Sequence, residues 1–411
     1  MKNLLFLSLV FAFLFISCSD DDDSVVLPPT ISTTAELTAA LTEIYENSDA
    51  PGFAISVLKN DAILYQKGFG DANIAANKAY TNQTIQPIGS VSKTFVAAAI
   101  VKAIEQGHFT LDTDINDILP VEIVNPLQPD ATITVKHLVT HTSGLLDNYE
   151  IYLQAYHIQT GEDLSTEGAQ LLQQVIGAQQ RERIPLADFL AEYYLTDGDA
   201  YTTDNFTSAT PGTLWSYSNV ATALSAFLIE AATGNSFHEY VRINIFQPLG
   251  MNNTGYSFDE LNTNNLATLY WDKDTPLPRY GNDFYPEGDV HTSSEDLSKF
   301  LLDMMKGAKG TNATLFSEAS YAMLFDPLLP NGMLPQGLAD NQGIFWFLDG
   351  NTIKHDGSDP GTTCMMEFDK TGEAGYFLLT NMDAVTDAHE QSWAELLTQV
   401  NEVISKFVQA N

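Results

Sequence analysis

Ser90 and Lys93, three residues apart at the mouth of an apolar run, are the pair in this chain best placed for nucleophilic chemistry. A hydroxyl attacks a carbonyl only when a base takes its proton, and an amine one helical turn above it can reach that proton. Gly89 permits a sharp entry, Ser90 stands where an N-cap belongs, and the stretch to Gln106 is rich in Ala, Val and Ile before Gly107 closes it. The pattern predicts a buried helix with Ser90 at its N-terminus, where backbone N–H groups and the helix dipole favour developing negative charge. Ser56 and Lys59 repeat the spacing, but they lie in a stretch that reads as a strand. Residues three apart in a strand point to opposite faces, so that pair cannot cooperate.

Two other segments carry groups such a serine needs. Tyr217 and Asn219 flank one residue in the loop 211–219, which leads into the apolar stretch Val220 to Ala232 and the terminator Gly234. In an extended turn both side chains face one cavity. A phenol beside an ammonium is expected to have a lowered pKa and to carry a proton between Ser90 and a leaving group. The Asn219 amide can bind a substrate amide in both senses. Tyr45 with Asn47 and Tyr280 with Asn282 share this spacing, so it singles out nothing alone. In Lys354 to Gly361 a strand is expected to end at His355. Gly357 leaves room for substrate at the strand edge, and the N–H of Ser358 is placed to join that of Ser90 around an oxyanion. Taken alone, His355 reads equally as a hydrogen-bonded strand-end histidine.

The elements that must position these residues are legible in outline. Ala35 to Asn47 has an amphipathic helical pattern; Phe53 to Leu58 and Ala62 to Phe69 read as strands around the turn 59–61. From about Val101 to Tyr285 helices and long polar loops dominate, including Leu164 to Ala178 and, after Pro185, Leu186 to Tyr194. Strands return at Gly343 to Leu348, Thr352 to His355, Thr363 to Phe368 and Tyr376 to Thr380, and Ala384 to Val408 closes the chain as a helix. The expected fold class is α+β, with one antiparallel sheet built from both chain ends, flanked by helices and interrupted by a mostly helical insert. In numbers, the sheet subdomain is 35–100 plus 286–408 and the insert is 101–285.

Composition narrows the functional classes. Eighteen basic residues against 53 acidic ones give a net charge of -35 over 411 residues, which argues against a nucleic-acid partner and for a self-repelling, soluble surface. Residues 1–17 have the make-up of an export signal: Lys2, a short apolar core from Leu4 to Ile16, and Ser17 before Cys18. The apolar core is too short to span a bilayer, and no internal repeat is visible. Phe15-Ile16-Ser17-Cys18 resembles a bacterial lipobox, which implies lipidation of Cys18 and an exported lipoprotein at the outer membrane, cell surface or periplasmic face. The alternative is a plain secretory signal. An acidic tether follows over 18–34, and a lipidated Cys18 leaves Cys364 without a disulfide partner.

Taken in order, the three segments resemble the serine β-lactamase and penicillin-binding superfamily, in particular the group of class C β-lactamases, D-Ala-D-Ala carboxypeptidases and esterases. Ser90 to Lys93 matches its Ser-x-x-Lys motif, Tyr217 to Asn219 its Tyr-x-Asn motif, and His355 to Gly357 a His-x-Gly variant of its third; Ile133 to Leu145 and Ser293 to Phe300 extend the likeness. The resemblance covers about Ala35 to Phe407 and implies a β-lactamase/transpeptidase-like fold with an acyl-enzyme mechanism needing no cofactor and no metal. Ser90, Lys93 and Tyr217 would be catalytic; Asn219, His355, Gly357 and Ser358 would bind substrate. The implied substrates are D-amino-acid peptides or small esters; a class C-like β-lactamase and a catalytically silent surface binding protein are the alternatives. His355 replaces a lysine typical of class C enzymes, so its charge is expected to depend on pH, with activity on carboxylate-bearing substrates falling as pH rises through the imidazole pKa. Lys370 to Gly372 is a literal Lys-Thr-Gly but sits in a polar turn, and His137 with His141 lacks the glutamate a zinc peptidase needs between them.

Overall fold

The computed structural model describes residues 30–384 and 386–411. The expected leader, Cys18 and the tether as far as residue 29 lie outside the described residues. Helix α1 (Thr34–Glu46) is opened by a capping box in which Thr33 accepts from the Glu36 N–H and Glu36 reaches back. Packing begins before the expected boundary at 35, because Ile31 is fully buried against Leu37 and Leu41.

Strands β1 (Gly52–Lys59) and β2 (Ala62–Asn73) form a hairpin whose turn residues Asn60 and Asp61 both take positive φ, a conformation Asn and Asp tolerate well. With β3 (Lys78–Ala79), β4 (Asn341–Gln342), β5 (Phe347–Asp349), β6 (Thr352–Asp359), β7 (Thr362–Asp369) and β8 (Ala374–Thr380) they make an eight-stranded sheet in the order β4-β5-β6-β7-β8-β1-β2-β3. Its named ladders are antiparallel, and β1 pairs with β8 so that Ile55 lies opposite Leu378. The two chain ends thus meet in mid-sheet.

Alternation along the central strands supplies both faces. Phe53, Ile55, Val57 and Leu378 pack with α1 and the closing helix α5 (Asp387–Ala410), around Trp393 and Phe407. Leu58, Phe377 and Leu379 belong to the second core, with α2 (Lys93–Glu105) and α4 (Ser294–Lys309), where Phe95 stacks on Phe300 at 4.1 Å. The insert contributes α3 (Asn219–Thr233), which packs on α2 and ends on left-handed Gly234.

Several boundaries differ from expectation. Of the stretch Gly343 to Leu348, only Phe347 and Leu348 join a strand: Phe345 takes φ 57°, which breaks extension. Strand β6 does not end at His355 but runs on to Asp359, still in register with β7 through Asp359 and Thr362. The helix expected over Leu164 to Ala178 is trimmed to Glu167–Val175 by the Thr166 cap. The final helix starts at Asp387 rather than Ala384.

Candidate active site

The Ser90 segment is not one continuous α-helix. Gly89–Ser92 forms a 3-10 turn and the α-helix begins at Lys93, so Ser90 is not an N-cap. Ser92 instead uses its hydroxyl to accept the Val290 N–H at 3.1 Å, while Ile88 N–H donates to the Val290 carbonyl at 3.0 Å. The pair still meets: Lys93 Nζ lies 2.8 Å from Ser90 Oγ. Ser90 is half-exposed and Lys93 is buried.

Lys93 has a partner the motif does not mention. Its ammonium donates to the Glu287 carbonyl at 3.2 Å and forms an ion pair with the Glu287 carboxylate, which is only 3% exposed. With Ser90, these contacts occupy its three N–H donors. Burial pulls the Lys93 pKa down most strongly, but the Glu287 charge and hydrogen bond, with Tyr217, outweigh it and leave the value raised. The turn Tyr285–Glu287 is fixed from outside by Arg183, which sits over the Tyr285 ring at 4.7 Å and bonds Asp289 at 2.9 Å. None of the three motifs includes Glu287.

Tyr217 comes to the same place, with the Lys93 ammonium 5.0 Å from its ring centre. Its phenol is not acidified as expected: it is pushed up to about 12, because desolvation outweighs the lowering by Lys93. The His141 ring lies tilted beside it, at 4.5 Å between centroids. His141 accepts the Ser218 N–H at 3.2 Å, but its Nε2 is buried without a hydrogen-bond partner. His137 accepts the Thr134 N–H in a capping box and belongs to α-helical punctuation instead.

Asp147, just beyond the quoted Ile133 to Leu145 stretch, locks the Tyr-x-Asn turn. Its carboxylate accepts from Ser218 Oγ at 2.8 Å, Asn219 N–H at 2.8 Å and Val220 N–H at 3.0 Å, at the N-terminus of α3. Asn219 therefore opens the helix, and its amide oxygen is buried with no partner.

On the sheet side, β5 pairs with β6 only from Thr352 to Lys354, so among the described residues the edge from His355 onward has no strand neighbour there. The Gly89–Ser92 turn lies against this edge. A methyl group added to Gly357 would fall 2.8 Å from Ser90 N and 2.3 Å from the Ile88 carbonyl, and one added to Gly89 would fall 2.7 Å from Ser358 N. Glycine at both positions is thus a steric requirement, and it brings the backbone of 358 beside that of 90. His355 departs from expectation. Burial, reinforced by Lys93, lowers its pKa to about 3, so it stays neutral from pH 5 to 8 and its charge does not switch in that range. Its Nδ1 lies 2.7 Å from the Asp356 carbonyl and its Nε2 is buried and unpartnered. The decoys behave as expected: Ser56 bonds Ser298 while Lys59 reaches Val408, and Lys370 to Gly372 is a turn. Among the described residues no group of three His, Cys, Asp or Glu side chains is arranged to hold a metal ion. A cavity of about 330 Å³ beside Phe258, Arg279 and His291 includes none of the candidate residues.

The pattern of the Beta-lactamase family matches residues 37–399 of this chain. The chain belongs to that family. It is a serine hydrolase of the β-lactamase and penicillin-binding superfamily with the corresponding fold. It is 23% identical over 368 residues to penicillin-binding protein 4 of Amycolatopsis lactamdurans, covering 85% of this chain and 86% of that one. Esterase EstB of Burkholderia gladioli is 28% identical over 228 residues, 55% of this chain and 52% of its own length. The β-lactamase/D-alanine carboxypeptidase of Yersinia pestis superposes with a TM-score of 0.65 at 20% identity, over 92% of this chain and all of that one. The chain spans between about half and six sevenths of the length of these two curated relatives.

Proposed function

We propose that this protein forms an acyl-enzyme on Ser90 with amide or ester substrates and releases the acyl group to water. Ser90 Oγ attacks the carbonyl, Lys93 and Tyr217 move protons, and the N–H groups of Ser90 and Ser358 hold the oxyanion. Asn219 and the neutral His355 position substrate through their unpartnered polar atoms. The observation that carries this reading is the 2.8 Å approach of Lys93 Nζ to the Oγ of Ser90, a partly exposed residue whose turn lies against β6.

Substrate class follows from the charges. Lys93 is paired with Glu287, and His141 and His355 are held neutral, so none of these groups offers a free cation to a substrate carboxylate. Small esters and amides without an essential carboxylate fit this site better than the free D-Ala-D-Ala terminus, and the esterase relative supports that order. The class C-like β-lactamase reading keeps support from the Yersinia pestis neighbour. The catalytically silent reading has no such support.

Two measurements test this. A fluorophosphonate or fluorescent penicillin should label wild type and leave Ser90→Ala unlabelled; equal labelling removes Ser90 as nucleophile. In a panel of p-nitrophenyl ester, D-Ala-D-Ala peptide and chromogenic cephalosporin, the ester should react fastest, and a preference of about tenfold or more for the carboxylate peptide would overturn the charge argument. The expected leader over 1–17 and lipid at Cys18 are part of the same proposal, with the domain held at the membrane through that lipid. Fatty-acid incorporation in cells should disappear in Cys18→Ser; unchanged incorporation would refute the anchor.

A further inference from the structure

The resting protonation states pose a problem for the mechanism. Lys93 donates to Ser90 Oγ, so in this state it cannot take the Ser90 proton, and the Tyr217 phenol also holds its own. Some other group must accept a proton first. Glu287 is the one carboxylate in direct contact with Lys93 among the described residues, and it touches it twice, through the side chain and through its carbonyl. Its other carboxylate oxygen lies 3.4 Å from the Tyr152 hydroxyl, whose ring stacks on Phe284 at 4.4 Å. The group is therefore buried, oriented and far less exposed than an ordinary surface glutamate.

We propose that Glu287 is a positioning residue for proton transfer, storing the Lys93 proton while Lys93 takes that of Ser90. The proposal rests on Ser90 being the nucleophile. In the first step a Lys93 N–H bond breaks and a Glu287 O–H bond forms, which converts a buried ion pair to a neutral pair without changing net charge. Burial of both groups lowers the cost of that exchange, because a neutral pair needs less solvation than an ion pair. The freed Nζ lone pair then takes the Ser90 hydroxyl proton as the Oγ–C bond forms and the carbonyl π pair moves to oxygen. When the tetrahedral centre collapses, the bond to the leaving group breaks and Lys93 protonates that group. Glu287 finally returns its proton to Lys93, which restores the ion pair.

A one-proton pair has a distinctive pH behaviour. Because the proton moves within the pair rather than to solvent, acylation should be nearly independent of pH, whereas a lone buried lysine must titrate before it can act. Glu287 is faced by Lys93, Tyr152, Tyr156 and Tyr217, and at longer range by the carboxyls of Asp147, Asp289 and Asp359. Lys93 is also faced by His141, His355 and Asp356. These groups are common to wild type and variants, so the ratio of their acylation rates removes them.

The experiment is burst acylation by p-nitrophenyl acetate from pH 5.5 to 10 in the full chain, with Ser90→Ala as reference. The Glu287→Gln to wild-type ratio should change by about tenfold or more through a single titration, while Glu287→Asp, which keeps a carboxylate, should give a constant ratio. A constant ratio for Glu287→Gln would assign Glu287 a purely structural role and overturn the proposal. If Glu287→Gln does not fold, the wild-type pH profile decides: the acylation rate should stay within about twofold from pH 5.5 to 10, and a rise of about tenfold through a single titration overturns the proposal. A burst that persists in Ser90→Ala instead sinks the nucleophile assignment, whatever Glu287 does.

Discussion

Two carboxylates flank the Ser90 cleft, and their partners differ. Asp147 accepts hydrogen bonds from two backbone N–H groups and a serine hydroxyl, none of which gives up its proton near neutral pH. Glu287 faces an ammonium, a far stronger acid than a backbone N–H or a serine hydroxyl. Asp147 is therefore a fixed cap that holds the Tyr217 turn, whereas Glu287 takes part in the charge state of the site. The difference teaches that a carboxylate beside a catalytic group is read from its partners' acidity as much as from its position.

Several measurements can break that contrast. Asp147→Ala should have the largest effect on stability, since it removes three acceptor contacts at the start of α3: about 3 kcal/mol by urea unfolding, with acylation reduced by one factor at every pH. Asp147→Asn should recover part of this, and its activity ratio to wild type should stay constant. A ratio that varies with pH would give Asp147 a protonic role and erase the distinction.

A smaller effect concerns the imidazoles that feel Lys93. His355 has a folded pKa of about 3, below its unfolded value of about 6.5, so the unfolded chain binds more protons between those limits. Its contribution to stability is full above the unfolded value and is lost as pH falls toward 3. His355→Gln should flatten that part of the acid limb in urea unfolding. An unchanged slope would mean that His355 carries charge in the folded protein. The smallest change is Tyr152→Phe, which removes one long hydrogen bond to Glu287: about 0.5 kcal/mol of stability and an acylation rate within threefold of wild type. A larger loss would extend the protonic unit beyond Glu287 to the tyrosines behind it.

Much of this site was legible because its key contact is local. Ser90 and Lys93 are one turn apart, and even the change from an α-helical to a 3-10 turn leaves them in contact. Gly89 and Gly357 were readable as places needing no side chain, though only the fold shows that they face each other. The length of β6 was misjudged because Asp356, Gly357 and Ser358 are poor strand formers; pairing with β7 overrides that preference. Tyr217 and His355 both lie near Lys93, but their acidity differs from expectation. Proximity to a charge can be guessed from a motif, whereas desolvation depends on what covers the group, such as Phe347 at 5.3 Å from the His355 ring. Glu287 escaped because nothing near it in sequence marks it as a partner of Lys93, 194 residues earlier.

The sequence by itself determined the contact between Ser90 and Lys93, the family, the α+β layout and the strand and helix order, since each depends on residue type at short spacing or on hydrophobic period. Only the tertiary structure decided which groups are charged around Ser90 and which carboxylate meets Lys93. Those outcomes arise from burial and from contacts between distant segments, and a linear pattern records neither.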